Sequence, residues 1–207
     1  MLYENILIGD FIYSMGYSCC QLGVKNNKVD LLQQTPGDCT IGDLVAMIGG
    51  RNFIMEFKRD RKLLDTERKK ESRDFLLKDA LIKDLLLISV KSHFISFMEN
   101  GELLVNPYLS LNPKYNPHFT EPYSQNIFFK GLIELEIGVD GNQIKTYTEF
   151  LSKNSTVGSA SVLVNYLAGR KPLVINMSEG FRLDKKIEMD ITNEIKIRRN
   201  RSMGMGM

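Results

Sequence analysis

The sequence predicts an α/β fold on three observations: a helical recurrence of apolar residues at its start, two β-prone runs joined by paired glycines, and a charged helical stretch that leads into a second hairpin. The order helix, three strands, helix, two strands is a layered arrangement in which helices cover a sheet. At 207 residues, 43% hydrophobic and 25% charged, the chain is long enough for one sizeable core with an elaboration. No apolar run approaches the roughly 18 residues of a membrane span. The opening MLYENILIGD carries acids where a secretory leader carries basic residues, so the expected location is cytoplasmic, with no membrane partner. Cys19, Cys20 and Cys39 lack zinc or iron–sulfur spacing and read as reduced structural thiols. Lys and Arg total 27 against 25 Asp and Glu, a formal charge of +2, so any basic surface has to come from local segregation of charge.

Taken in order, Leu2, Ile6, Ile8, Phe11, Ile12 and Met15 predict a helix over 2–20, closed by Gly23. A short strand is expected over 28–34, ended by Pro36-Gly37, followed by strands in TIGDLVAMI and NFIMEFKR. From Leu63 to Lys91, apolar residues at three- and four-residue steps among many charges predict one helix. HFISFM and ELLVNPYL flank the turn Glu99-Asn100-Gly101 as a hairpin. Residues 106–126 hold four of the six prolines and read as a long irregular loop. Beyond it, NIFFKGLIELEIG is expected as a strand, TYTEFLSK as a helix and LVINM as a strand, before the charged end KKIEMDITNEIKIRRNR and a frayed tail, SMGMGM. This divides the chain into a core over 1–105, the loop 106–126, a C-terminal α+β lobe over 127–201 that completes the fold or binds a partner, and the tail 202–207.

The first hairpin carries the functional signal. Gly49 and Gly50 both tolerate positive φ, as a two-residue hairpin turn requires, so Ile48 pairs with Arg51 and Asp43 falls opposite Glu56. Opposed residues share a face with Cβ atoms about 4.5 to 5.5 Å apart, and Lys58 lies on that same face. Leu44, Ala46, Phe53 and Met55 form the other face, an apolar set suited to a core, and Val45, Met47 and Ile54 imply that the acidic face is covered as well. Two covered carboxylates side by side need compensation. A magnesium or manganese ion supplies it through oxygen ligands, and a neighbouring lysine is suited to orient water or to steady a phosphate oxygen. The chemistry so indicated is phosphodiester hydrolysis.

Asp43, then Glu56-Phe57-Lys58 on the following strand with helices on either side, resembles the active-site core of the PD-(D/E)xK nuclease superfamily, over about residues 1–98. The residue before Asp43 is Gly42 rather than the proline of the family's name, and Asp38, nearer a proline, pairs off the strand. The resemblance implies a restriction-endonuclease-like core with a mixed central sheet flanked by helices. It implies Asp43 and Glu56 as magnesium ligands with manganese able to substitute, the Phe57 carbonyl as a further ligand, Lys58 as catalytic, and Glu4, rather than Asp10, as an extra acid from the first helix.

Arg59, Arg61 and Lys62 follow Lys58 closely enough to be candidates for phosphate contact, with Arg73 and Lys78 further along the charged helix and Arg198 and Arg199 in the basic end. Tyr108, Tyr115, Phe119 and Tyr123 are candidates either for stacking on unpaired bases or for packing the loop onto the domain, while His93 and His118 read as ordinary polar residues. The expected partner is nucleic acid, DNA ahead of RNA, and a homodimer would address both strands of a duplex. Two rival readings stand beside the DNA nuclease: a catalytically silent protein of the same fold that binds nucleic acid or a protein, and an RNA-directed nuclease.

Overall fold

A two-glycine turn and a meander of short strands build the sheet that organises the molecule. The computed structural model describes residues 3–25, 27–32, 41–77, 83–119 and 121–154, with the strands Ser161–Asn165 and Pro172–Asn176. Helix α1, Glu4–Gln21, buries Leu7, Ile8, Phe11, Met15 and Cys19, spaced to place them on one stripe. It ends as the sequence predicts. Gly23 at φ 66° lets its own N–H reach Cys20 and the Val24 N–H reach Cys19, a Schellman closure.

Strands β1, Lys28–Leu31, β2, Leu44–Ile48, and β3, Arg51–Lys58, form an antiparallel meander. Gly49 and Gly50 have φ of 53° and 91°, the positive pair a two-residue turn needs. The register follows as expected, from Ile48 opposite Arg51 to Leu44 opposite Met55. Strand β4, His93–Glu99, then pairs parallel to β3 and requires a crossover, which residues 59–92 supply. Strand β5, Glu102–Pro107, returns antiparallel through the Asn100-Gly101 turn, and the short β6, Tyr123–Ser124, ends a six-stranded mixed sheet in the order β1-β2-β3-β4-β5-β6.

The crossover is not the single helix that its periodicity predicts. A 3₁₀ turn at Arg61–Leu63 leads into α2, Leu64–Arg68; a second 3₁₀ turn at Glu71–Arg73 leads into α3, Asp74–Leu77; and α4, Lys83–Ser92, runs up to β4. The chain breaks at Lys70, which is extended at ψ 109°. The physical reason is through-space: Lys70 and Arg73 turn inward towards buried acids, and those pairs outweigh the modest helix propensity of a charged run.

Two further expectations change. NIFFKGLIELEIG is not a strand: α5, Gln125–Ile133, takes most of it, with Phe128, Phe129, Gly131 and Leu132 buried at helical spacing. A short apolar run fits either period, and here packing beside α1 decides it. The span 106–126 is also more ordered than an irregular loop, since β5 runs into it, 3₁₀ turns form at Tyr108–Leu111 and Asn116–His118, and Tyr108 to Leu111 are buried. Helix α6, Gly141–Asn154, extends the expected TYTEFLSK helix, capped by Asp140 Oδ1 at the Asn142 and Gln143 N–H groups. Strands β7, Ser161–Asn165, and β8, Pro172–Asn176, pair as a separate hairpin that includes most of the expected LVINM strand.

Both faces of the sheet are covered. Leu44, Ala46, Ile48, Phe53, Met55 and Phe57 pack with α1 and α5, where the Phe11 ring lies 5.3 Å from Phe57 and 5.2 Å from Phe129. Val45, Ile54, Ile95 and Phe97 pack on the other face with Leu64, Leu76, Leu77 and α6. Asp43, Glu56 and Lys58 belong to this second face, where β3 leaves the hairpin and the crossover begins. Among the described residues no helix is long and apolar enough to cross a membrane.

Candidate active site

The β2–β3 ladder stops at Leu44 and Met55, and the groups just beyond it define the site. The next inward N–H, that of Phe57, is taken by a side chain: it donates to Asp43 Oδ2 at 2.6 Å. On the same face Lys58 Nζ donates to Glu56 Oε1 at 2.7 Å and to the Phe57 carbonyl at 3.1 Å. Asp43 and Lys58 thus hold the N–H and the carbonyl of one residue, Phe57, which belong to two successive peptide groups, with Glu56 beside them. Register and side-chain alternation had brought these residues together on paper; the structure does so in space.

The crossover adds what sequence reasoning missed. Glu67 Oε2 lies 3.2 Å from Lys58 Nζ and 2.7 Å from Lys70 Nζ, and Lys70 also reaches Glu56 Oε1 at 2.9 Å. Tyr108 donates its hydroxyl to Glu67 Oε1 at 2.7 Å, and the Arg73 guanidinium lies 5.7 Å from the Tyr108 ring. Three carboxylates, Asp43, Glu56 and Glu67, therefore stand among three cations, Lys58, Lys70 and Arg73. A signal did exist: Leu64, Glu67, Lys70 and Arg73 recur every third residue, so the charged run carries a stripe continuous with an apolar residue.

Burial and charge oppose one another here. Burial pushes the Glu56 carboxyl up, but Lys58, Lys70 and Arg73 together outweigh it and hold the group down at about 2. Burial alone would lower Lys58, yet Glu56 and Glu67, with help from Asp43, raise it above its ordinary value, and Lys70 is raised for the same reason. Lys58 is consequently a standing ammonium at neutral pH. Such a group is suited to donation and charge stabilisation rather than to proton abstraction.

Solvent reaches the cluster through the lysines. The side chains of Lys58 and Lys70 are 10% and 37% exposed, whereas Glu56 and Glu67 are 1% and 0%. Both lysines line a cavity of about 400 Å³ with Tyr3, Glu4, Arg59 and Thr66 at its walls. Glu4 thus borders the cavity without joining Asp43 and Glu56: among the described residues no three His, Cys, Asp or Glu side chains gather as a metal-sized group. Arg59 also borders a larger cleft of about 670 Å³ with Arg61, Lys62 and Arg68. There Arg61 is engaged by both carboxylate oxygens of Glu99, at 2.9 and 2.7 Å.

Arg73 faces the site but is fully buried, which removes it as a contact for a solvent-borne phosphate backbone. Tyr108 is likewise fully buried, so it serves the core and Glu67 rather than stacking on a base. Lys78, Arg198 and Arg199, and also Asp38 and Cys39, lie outside the described residues; Cys19 and Cys20 are free thiols.

His93 is buried beneath the site, stacked on Tyr108 at 4.2 Å with Nδ1 3.0 Å from the Tyr147 hydroxyl. Burial first, and Arg73 second, hold it well below its ordinary value of 6.5. The folded state therefore binds fewer protons than the unfolded chain below about pH 6.5, so this contribution is complete above that pH and declines as pH falls, at up to about 1.4 kcal/mol per unit. Denaturation of His93→Gln between pH 7 and 5 should show a shallower loss of stability than wild type; parallel curves would show that His93 titrates alike in both states.

The donor set suits a hard divalent cation. Glu56 Oε2 is buried with no hydrogen-bond partner among the described residues, while Glu56 Oε1 and the Phe57 carbonyl already share a cation, the Lys58 ammonium. Carboxylate and carbonyl oxygens are the ligands magnesium and manganese prefer. No family model, curated protein or solved structure matches this chain.

Proposed function

We propose that the protein is a magnesium-dependent nuclease that hydrolyses DNA phosphodiester bonds, with manganese able to substitute. The observation that carries this reading is the clasp on the backbone of Phe57: Asp43 at its N–H, Lys58 at its carbonyl and Glu56 alongside, at the start of a parallel crossover. The PD-(D/E)xK resemblance implies roles for the same groups, Asp43, Glu56 and the Phe57 carbonyl as metal ligands and Lys58 as catalytic. Asp43, Glu56 and the Phe57 carbonyl are the groups that would hold the metal. When bound, the ion supplies Lewis acidity to the scissile phosphate and to the attacking water.

The protein's own residues supply the remainder. Lys58 keeps its proton and donates to a phosphate oxygen or to the water, with charge that needs no reorganisation. Arg59 and Lys62 border the adjoining cleft, beside Arg61 in its pair with Glu99, and neutralise flanking phosphates, which makes binding salt-dependent. Cytoplasmic location agrees with the free Cys19 and Cys20.

One observation favours a second reading, a silent protein of this fold that binds nucleic acid or a partner: the three acids are already balanced by three cations. Incubating wild type and Glu56→Gln with linear and circular DNA, single- and double-stranded, and with RNA, with and without magnesium or manganese, separates the readings. Metal-dependent cutting of DNA by wild type alone is the expected result. Cutting confined to RNA would transfer the assignment to an RNA-directed nuclease, and no cutting with no metal-induced thermal shift would transfer it to the silent fold.

A further inference from the structure

Two groups of the cluster have no task in the mechanism above. Glu67 is fully buried and held from behind by the Tyr108 hydroxyl on Oε1, so its Oε2 is presented to the two lysines at fixed range. Lys58 and Lys70 each touch both Glu56 and Glu67, so two ammonium groups bridge two carboxylates. Lys58 in addition donates to the Phe57 carbonyl, so it holds two hydrogen bonds, to Glu56 and to that carbonyl, beside its ion pair with Glu67.

A divalent cation at this site would take the Glu56 carboxylate, whose charge both ammonium groups already neutralise through Oε1. Displaced without another partner, they would become uncompensated charges in a covered setting, which is strongly unfavourable. They have one already. We infer that Glu67 is a positioning residue of the nuclease site, and that Lys70 is the cation that competes with the metal. With the metal absent, Lys58 and Lys70 neutralise Glu56; when a divalent cation takes Glu56, both remain on Glu67, and Lys58 stays beside the cavity as a donor.

This inference rests on the nuclease reading, and it predicts changes of opposite sign from two neighbouring substitutions. Removing Lys70 leaves Glu56 less neutralised and favours the metal. Removing the charge of Glu67 leaves both lysines dependent on Glu56 and disfavours it. Each change is expected to be about fivefold or more. Lys62 lines the neighbouring cleft with no ion pair to these acids among the described residues, and serves as the control for a general change of charge.

The test is Mn²⁺ binding by calorimetry, without DNA, to the full chain as wild type, Lys70→Gln, Lys70→Arg, Glu67→Gln and Lys62→Gln, each checked for native circular dichroism. Tighter binding by Lys70→Gln, weaker binding by Glu67→Gln, and near wild-type binding by Lys70→Arg and Lys62→Gln are expected. Equal affinities throughout would overturn the inference and leave the nuclease reading standing, as would a shift in Lys62→Gln as large as that in Lys70→Gln. Tighter binding by Glu67→Gln would remove the role assigned to Glu67. If no variant binds Mn²⁺, Lys70→Gln included, the metal-dependent reading itself falls, and the inference with it.

Discussion

Asp43→Asn should lower metal-dependent DNA cleavage by at least about a hundredfold, the scale of losing one group that supports charge at a reacting centre, while costing little stability. The structure separates the two effects. The carboxylate accepts the Phe57 N–H at 2.6 Å, and an amide oxygen of the same shape can accept that bond in its place. What the variant loses is a formal negative charge next to the Phe57 backbone, which the proposed metal site would need and the Phe57 hydrogen bond does not. Cleavage assays beside chemical denaturation check this, together with the thermal shift on adding manganese, which should shrink in the variant. Undiminished cleavage would remove Asp43 from the site, and a chain that fails to fold would make it a structural residue.

Glu67→Leu should destabilise the protein by about 3 to 5 kcal/mol, as expected when one partner of a buried ion pair is removed. Three groups lose an acceptor at once: Lys58, Lys70 and the Tyr108 hydroxyl. The contrast is the Arg61–Glu99 pair, at least as short but with Arg61 55% and Glu99 29% exposed, where Glu99→Gln should change stability by less than about 1 kcal/mol. Denaturant midpoints at pH 7 test both. A change of similar size in the two variants would mean that the Glu67 cluster is solvated in solution and contributes no more than a surface pair.

Legibility varied sharply along the chain, and the variation has a physical pattern. The Gly49-Gly50 hairpin was readable to the residue, because a two-residue turn leaves one register and alternation then assigns each side chain a face. The α1 helix and its Gly23 closure were readable for a similar reason: cap geometry depends on a few consecutive residues. The crossover was read as one helix and α5 as a strand, since neither stretch has a strong local rule. In the first, buried ion pairs bend the chain at Lys70; in the second, packing against α1 chooses the period.

Within the site the same division holds. Asp43, Glu56 and Lys58 were legible because hairpin pairing and a two-residue step relate them. Glu67, Lys70 and Tyr108 were not, because their partners lie across the crossover and across β4 and β5, at separations of up to 41 residues. Arg73 was legible only as a candidate for phosphate contact, and the packing around it shows that it is buried instead. The sequence by itself determined the layered α/β class, the hairpin register and the paired acids with their lysine, all consequences of turn chemistry and strand alternation. The tertiary structure alone decided that these acids share their charge with a third carboxylate and two further cations, because long-range Coulomb pairing under burial leaves no local period to read.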